Sequence, residues 1–177
     1  MSDTLRPARF AAQGFPPIID ATSQVLILGT MPGEESLRRQ QYYGHPRNQF
    51  WRILADIFHT PVAEAYPERV ALLRQKRLAV WDVLQTCERQ GSLDQAIRQA
   101  VPNDFRALFK THRNLRVIVF NGRKAQDLFA HTVFRQQGLE GIELPRLLMP
   151  STSPAAALPF SAKIERWRQI SAWIVEK

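Results

Sequence analysis

Short apolar runs alternate with amphipathic stretches along the chain. Residues 24–28 (QVLIL) form a β-branched and aliphatic run that stops at Gly29, which predicts a buried strand. Residues 34–40 can form one or two helical turns. Between positions 48 and 58, apolar side chains recur at Phe50, Trp51, Leu54, Ile57 and Phe58, the spacing of a helix with one buried face. Residues 68–75 predict another helix and residues 78–83 (LAVWDV) a second strand. A helix over 102–111, opened by Pro102, follows. Residues 116–120 (RVIVF) predict the third strand, 123–134 a helix, 146–149 the fourth strand and 161–175 a closing helix. Strands alternating with helices imply an α/β fold whose mainly parallel sheet is covered on both faces. No repeat, low-complexity block or linker divides the chain. Residues 1–177 therefore read as a single domain, with residues 1–20 as a loosely ordered N-terminal arm.

In such sheets, ligands sit beyond the carboxyl ends of the strands. The segments that follow the four strands are 29–33 (GTMPG), 82–84 (DVL), 121–122 (NG) and 150–154 (PSTSP). Each is polar, rich in Gly and Pro, or both. A parallel sheet would gather all four on one edge, as the walls of one site.

Composition narrows the classes. With 45% hydrophobic residues, the 177-residue chain can build a core. No apolar run approaches bilayer length, so no membrane span is expected. The first fifteen residues lack the apolar stretch of a signal peptide, and a cytoplasmic protein is the default. Cys87 is the only cysteine, which excludes a disulfide within the chain and an iron–sulfur cluster held by several of its own thiolates. His45, His59, His112 and His131 show no paired ligand spacing, so no metal or other cofactor is expected. No Gly-x-Ser-x-Gly elbow is present. Lys124 and Lys163 could form a Schiff base in principle, but both read as solvated charges.

Charge adds a partner class. Lys and Arg total 24 against 16 for Asp and Glu, a formal net charge of +8. Lys76, Lys110, Lys124, Lys163 and Lys177 are the only lysines, and the remaining cations are arginines. Guanidinium forks suit phosphate contact. An arginine-rich composition can also reflect base composition of the genome or solubility.

The candidate chemistry lies in five stretches. In the first, Gly29, Thr30, Met31, Pro32 and Gly33 make a strand-to-helix turn. Glycine permits close approach of a ligand, and Pro32 stiffens the turn. It is either a rigid shelf for a base or phosphate or a purely structural turn, and it lacks the ending of a Walker loop. In the second, residues 42–51 (YYGHPRNQFW) place aromatic, imidazole, guanidinium and amide groups ahead of a helix. Asn48 is either that helix's N-cap or an amide that reads a base edge or holds a water. Tyr42 and Tyr43 are either core or a stacking face, with Tyr43 the base-contact candidate, and Arg47 suits a phosphate. The third stretch offers Asp82, which either accepts from a base or sugar or caps a turn. Cys87, Arg89 and Ser92 lie beyond it. The fourth is Asn121-Gly122, often no more than a turn. The fifth, Ser151, Thr152, Ser153, Pro154 and Ala155, can grip a DNA backbone through hydroxyls and amides, or is a plain loop.

Taken together, GTMPGEESL, YYGHPRNQFW, VWDVLQTCERQGSLDQAI, VFNG and PSTSP resemble the uracil-DNA glycosylase superfamily. They are most similar to its hypoxanthine-DNA glycosylase branch, from about Val25 to Ala157. The resemblance implies a three-layer α/β/α sandwich around a short, mainly parallel four-stranded sheet. It implies metal-free hydrolysis of the N-glycosidic bond of a flipped-out deaminated base in DNA, without a cofactor. It further implies that Asn48 is the catalytic asparagine, Asn121 a second asparagine of the site, and residues 29–33 the motif beside the base and the attacking water. Ser151–Ala155 would pinch the DNA backbone, and Asp82 would fall near a base-contacting position.

Two departures from the superfamily pattern stand out. Thr30 and Met31 occupy the stretch where many uracil-directed relatives carry an acidic residue, which fits the hypoxanthine branch. The PSTSP motif lacks the histidine of several relatives, leaving Leu158 or Phe160 as the wedge that fills the vacated stack. The alternatives are a uracil- or xanthine-preferring glycosylase of the same fold, or a nucleic-acid-binding module without catalysis. A monomer is expected.

Overall fold

The computed structural model describes residues 10–176. In chain order its strands are β1 (Phe10–Gln13), β2 (Val25–Gly29), β3 (Leu78–Asp82), β4 (Leu84–Arg89), β5 (Arg98–Pro102), β6 (Val117–Asn121) and β7 (Arg146–Met149). The α-helices are α1 (Glu34–Arg39), α2 (Phe50–Ile57), α3 (Tyr66–Gln75), α4 (Phe105–Thr111), α5 (Arg123–Leu128) and α6 (Phe160–Trp167).

The central sheet is parallel, with strand order β3-β2-β6-β7. Every residue of β2, β3 and β6 is buried. That explains why these strands read as unbroken apolar runs: both faces are covered, so alternation is lost. Helices provide the cover. α3 packs against β3, α5 against β6 and β7, and α6 against β7 and α2. The α2–α6 contact centres on Phe50 and Trp167, both fully buried, edge to face at 6.0 Å between ring centroids. Each such ring contributes about 1.5–3 kcal/mol by leaving water. The expected α/β/α arrangement with a short parallel four-stranded sheet is the one that forms.

A second sheet was not expected. β1, β4 and β5 make an antiparallel sheet with β4 in the middle. Its strands carry weak signals: β5 is largely exposed, and β4 mixes buried Leu84, Cys87 and Arg89 with open polar positions. The segment after β3 is therefore no loop. The chain bends at Val83 and enters β4 directly, while the Val83 and Leu84 amides donate to the carbonyls of Gly29 and Thr30 at 2.9 and 3.1 Å.

Other boundaries moved for local reasons. Pro102 does not open a helix; it closes β5 opposite Leu84. The helix begins at Phe105, where the Asp104 carboxylate caps it by accepting from the Ala107 amide at 2.9 Å. The expected helix over 123–134 is α5 followed by a π-helical segment, Phe129–Phe134. The closing helix is α6 continued by a 3-10 stretch, Arg168–Trp173. Of the expected loose arm, residues 1–9 lie outside the described residues. Residues 10–13 form β1, and Ile18 exchanges two backbone hydrogen bonds with Val80, each 2.9 Å.

Candidate active site

Strand register sets the site. Gly29 pairs with Asp82, Leu28 with Phe120, and Asn121 with Met149. Asp82, Gly29 and Asn121 thus end three adjacent strands in one row at the carboxyl edge of the parallel sheet. Above this edge lies a cavity of about 410 Å³.

The turn after β2 forms one wall and is tied down on several sides. Besides the bonds from Val83 and Leu84, the Thr30 hydroxyl donates to Asp94 Oδ1 at 2.7 Å. The buried Arg89 guanidinium donates to the Pro32 carbonyl. Ser92 Oγ accepts from the Glu34 amide at 2.9 Å and sits against Gly33, where a Cβ would meet it at 3.3 Å. The second sheet and its 92–95 loop therefore clamp the turn, which makes it a rigid shelf rather than a mobile loop.

The floor is Asp82, only 4% exposed. A Cβ on Gly29 would stand 2.5 Å from Asp82 Oδ1 and 3.2 Å from the Tyr43 hydroxyl, so glycine is required by close approach. Asp82 Oδ2 is buried without a hydrogen-bond partner among the described residues. Burial, aided by the nearby Asp94, pushes the Asp82 carboxyl up to about 7, against the opposing pull of Arg89. Burial also raises Asp94. The Tyr43 hydroxyl is raised by burial and then by Asp82; Asn121 lies close enough to offset part of this without an aligned hydrogen bond. Tyr43 has φ 53° and stacks on Phe50 at 3.9 Å between centroids, so its ring is held by the core of α2.

The opposite wall joins two loops. The Asn48 side-chain oxygen accepts from the Phe50 amide at 3.0 Å, an Asx turn that leads into α2, whose N-cap position is Gln49 and not Asn48. That contact fixes which end of the amide is oxygen and leaves Nδ2 as a donor on a residue that lines the cavity. The Gln49 amide donates to the Thr152 carbonyl at 3.0 Å, binding the 45–49 segment to the PSTSP loop. Asn121 grips the same threonine twice: Nδ2 donates to Thr152 Oγ1 and Oδ1 accepts from the Thr152 amide, both at 2.9 Å.

The cavity brings together Gly29, Thr30, Met31, Pro32, Gly33, Tyr43, Asn48, Asp82, Asn121 and Ser151, Thr152, Ser153, Pro154 and Ala155. Arg47 stands apart, exposed and outside the lining. The sequence reading missed Glu35 and residues 93–95 as lining residues, with Asp94 the most consequential, and noted His45 and Ser92 without assigning them to the site. Only their proximity to recognised motifs hinted at them. Lys163 is not a solvated charge: it is 1% exposed, donates to the Ala156 carbonyl at 3.2 Å and is lowered by burial. Phe160 is half-buried beneath the Arg52 guanidinium, 4.0 Å from its ring centroid, whereas Leu158 is exposed. Among the described residues, no cluster of three or more His, Cys, Asp or Glu side chains could hold a metal ion, and no helix is long and apolar enough to cross a membrane.

A family model described as the uracil DNA glycosylase superfamily matches residues 16–174. The chain is 38% identical over 129 residues to a hypoxanthine DNA glycosylase of Methanosarcina barkeri, covering 72% of this chain and 80% of the relative. It is 39% identical over 134 residues to a hypoxanthine DNA glycosylase of Methanosarcina acetivorans, covering 75% and 84%. A solution NMR structure of a proposed uracil DNA glycosylase from Methanosarcina acetivorans is similar with a TM-score of 0.78 and 33% identity, over 92% of this chain and 97% of that one.

Proposed function

This chain belongs to the uracil DNA glycosylase superfamily and is a DNA glycosylase, and on that premise we propose that it removes hypoxanthine from deoxyinosine in DNA. The observation that carries the substrate reading is the first turn: Thr30 and Met31 stand where many uracil-directed members carry an acidic residue, and both relatives named above are hypoxanthine enzymes.

The flipped base enters the cavity between the first turn and Asn48. The glycosidic bond breaks toward an oxocarbenium-like sugar, and water captures it. An asparagine is no base near neutral pH, but Asn48 Nδ2 can donate to the departing base while its oxygen stays on the Phe50 amide. Asn121 acts by positioning: its amide holds Thr152, and through it the loop Ser151–Ala155 that meets the DNA backbone. Tyr43 and residues 29–33 line the base, and the exposed Arg47 meets a phosphate. Extrusion costs a few kcal/mol and less for a mispaired inosine, which favours damaged sites. In this reading the enzyme works in the cytoplasm as a single-domain monomer.

A panel of oligonucleotides containing inosine, uracil or xanthine tests the substrate, read as base release in single turnovers. Hypoxanthine release faster than that of uracil and xanthine supports the reading. Faster release of either of the others overturns it.

A further inference from the structure

The rigid first turn offers no carboxylate to the attacking water, because Thr30 and Met31 fill it and the Thr30 hydroxyl is held by Asp94. A carboxylate nevertheless stands in the same row of the sheet, one strand away. Asp82 pairs in register with Gly29, borders the cavity shared with Asn48, and packs its Oδ1 where a Gly29 side chain would be.

A strand-end aspartate commonly caps a turn, but among the described residues this side chain accepts no hydrogen bond from a turn amide. The amides that follow it donate to Gly29 and Thr30, and Asn103 Nδ2 donates to the Asp82 main-chain carbonyl at 2.8 Å. Its Oδ2 is buried and has no hydrogen-bond partner among the described residues. A buried polar atom without a partner calls for an explanation, and at the floor of a cleft the ready one is chemistry.

Resting on the glycosylase reading above, we infer that Asp82 is a catalytic residue, the acceptor of the proton lost by the attacking water. The C1′–N bond breaks first, and the water oxygen then bonds to C1′ of the oxocarbenium-like sugar. The bond's electron pair leaves with the base, one water proton passes to the Asp82 carboxylate, and the base is reprotonated from Asp82 or solvent. The carboxylate that many uracil-directed members carry in the turn is thus supplied from β3. The titratable and charged groups around it are Tyr42, Tyr43 and His45 from the segment before α2, Glu35 from α1, Arg89 from β4, and Asp94 with Lys124 beyond it.

Single-turnover release from the best substrate of the panel, with enzyme in excess, is measured from about pH 5 to about pH 9 for the wild type and Asp82→Asn. The wild-type rate is expected to rise with pH as Asp82 ionises. The variant is expected to be slower by about 100-fold or more, to lose that rising limb, and to bind the same DNA unchanged. A variant within about threefold of wild type, or one that is slower but keeps the limb, overturns the role of Asp82. A wild-type rate that is flat or falls with pH overturns it without any variant. If uracil or xanthine is released best, only the substrate reading fails, and Asp82 is scored on that base.

Discussion

A side chain on Gly29 and the carboxyl of Asp82 cannot occupy the cavity floor together, because a Cβ there would lie 2.5 Å from Oδ1. Gly29→Ala should therefore displace Asp82 and press on Tyr43. Overpacking of this kind costs about 1–3 kcal/mol. A lower melting temperature and base release reduced by about tenfold or more are expected. A variant with wild-type melting and rate would show that the floor can rearrange freely.

The same burial makes stability depend on pH. The folded carboxyl of Asp82 holds its proton up to about 7, whereas the free side chain releases it near 3.8. Across that interval the folded state binds more protons, so the contribution to stability falls as pH rises and the deficit is complete above about pH 7. The full deficit is on the order of 4 kcal/mol. Asp82→Asn should raise the urea midpoint relative to wild type at about pH 8 but much less at about pH 5. Equal differences at both pH values would mean that Asp82 does not change protonation there.

The bond from Asn48 to the Phe50 amide and the proposed part of its Nδ2 in base release can be told apart by substitution. Asn48→Ala loses the Asx-turn bond to the Phe50 amide, worth about 1 kcal/mol as a hydrogen bond, together with the Nδ2 donor. Asn48→Asp keeps the oxygen on the Phe50 amide but replaces the Nδ2 donor with a second acceptor oxygen and adds a negative charge to the cavity. Both should slow base release by about 100-fold or more, while only the alanine variant melts lower. A fast aspartate variant would remove Asn48 from the chemistry.

Asn121→Ala should release the Thr152 segment. Two buried hydrogen bonds are lost, at about 1–3 kcal/mol for each group left unsatisfied. DNA binding should weaken along with melting temperature, and Thr152→Val, which removes only the hydroxyl acceptor, should show a smaller loss of both. Unaltered DNA affinity in Asn121→Ala would separate this asparagine from the backbone-contacting loop.

Arg47 is exposed and outside the cavity, as a phosphate contact should be. Arg47→Ala should weaken binding to damaged and undamaged DNA alike and reduce the slope of log K against log salt by about 1. Loss confined to the damaged duplex would assign Arg47 to base recognition.

The parallel strands in residues 24–28, 78–83 and 116–120 were legible because strands buried on both faces show as continuous apolar runs, and the edge strand 146–149 was legible from a shorter apolar stretch of which only Met149 is buried. β1, β4 and β5 were not, because a largely exposed antiparallel sheet needs few apolar residues and leaves no run to read. Asn48 was visible because its partners are its neighbours in the chain, and the resemblance rests on that contiguous stretch.

By itself, then, the sequence determined the four strands of the parallel sheet, the edge where the loops gather, and the resemblance that located Asn48. Tertiary structure decided that Asp82 lies against Gly29, that Asp94 and Arg89 brace the first turn, and that Asn121 holds Thr152. The physical reason is range. Burial and helix capping act over a few residues and leave a local pattern, whereas these contacts join groups up to 64 residues apart through strand register and a second sheet.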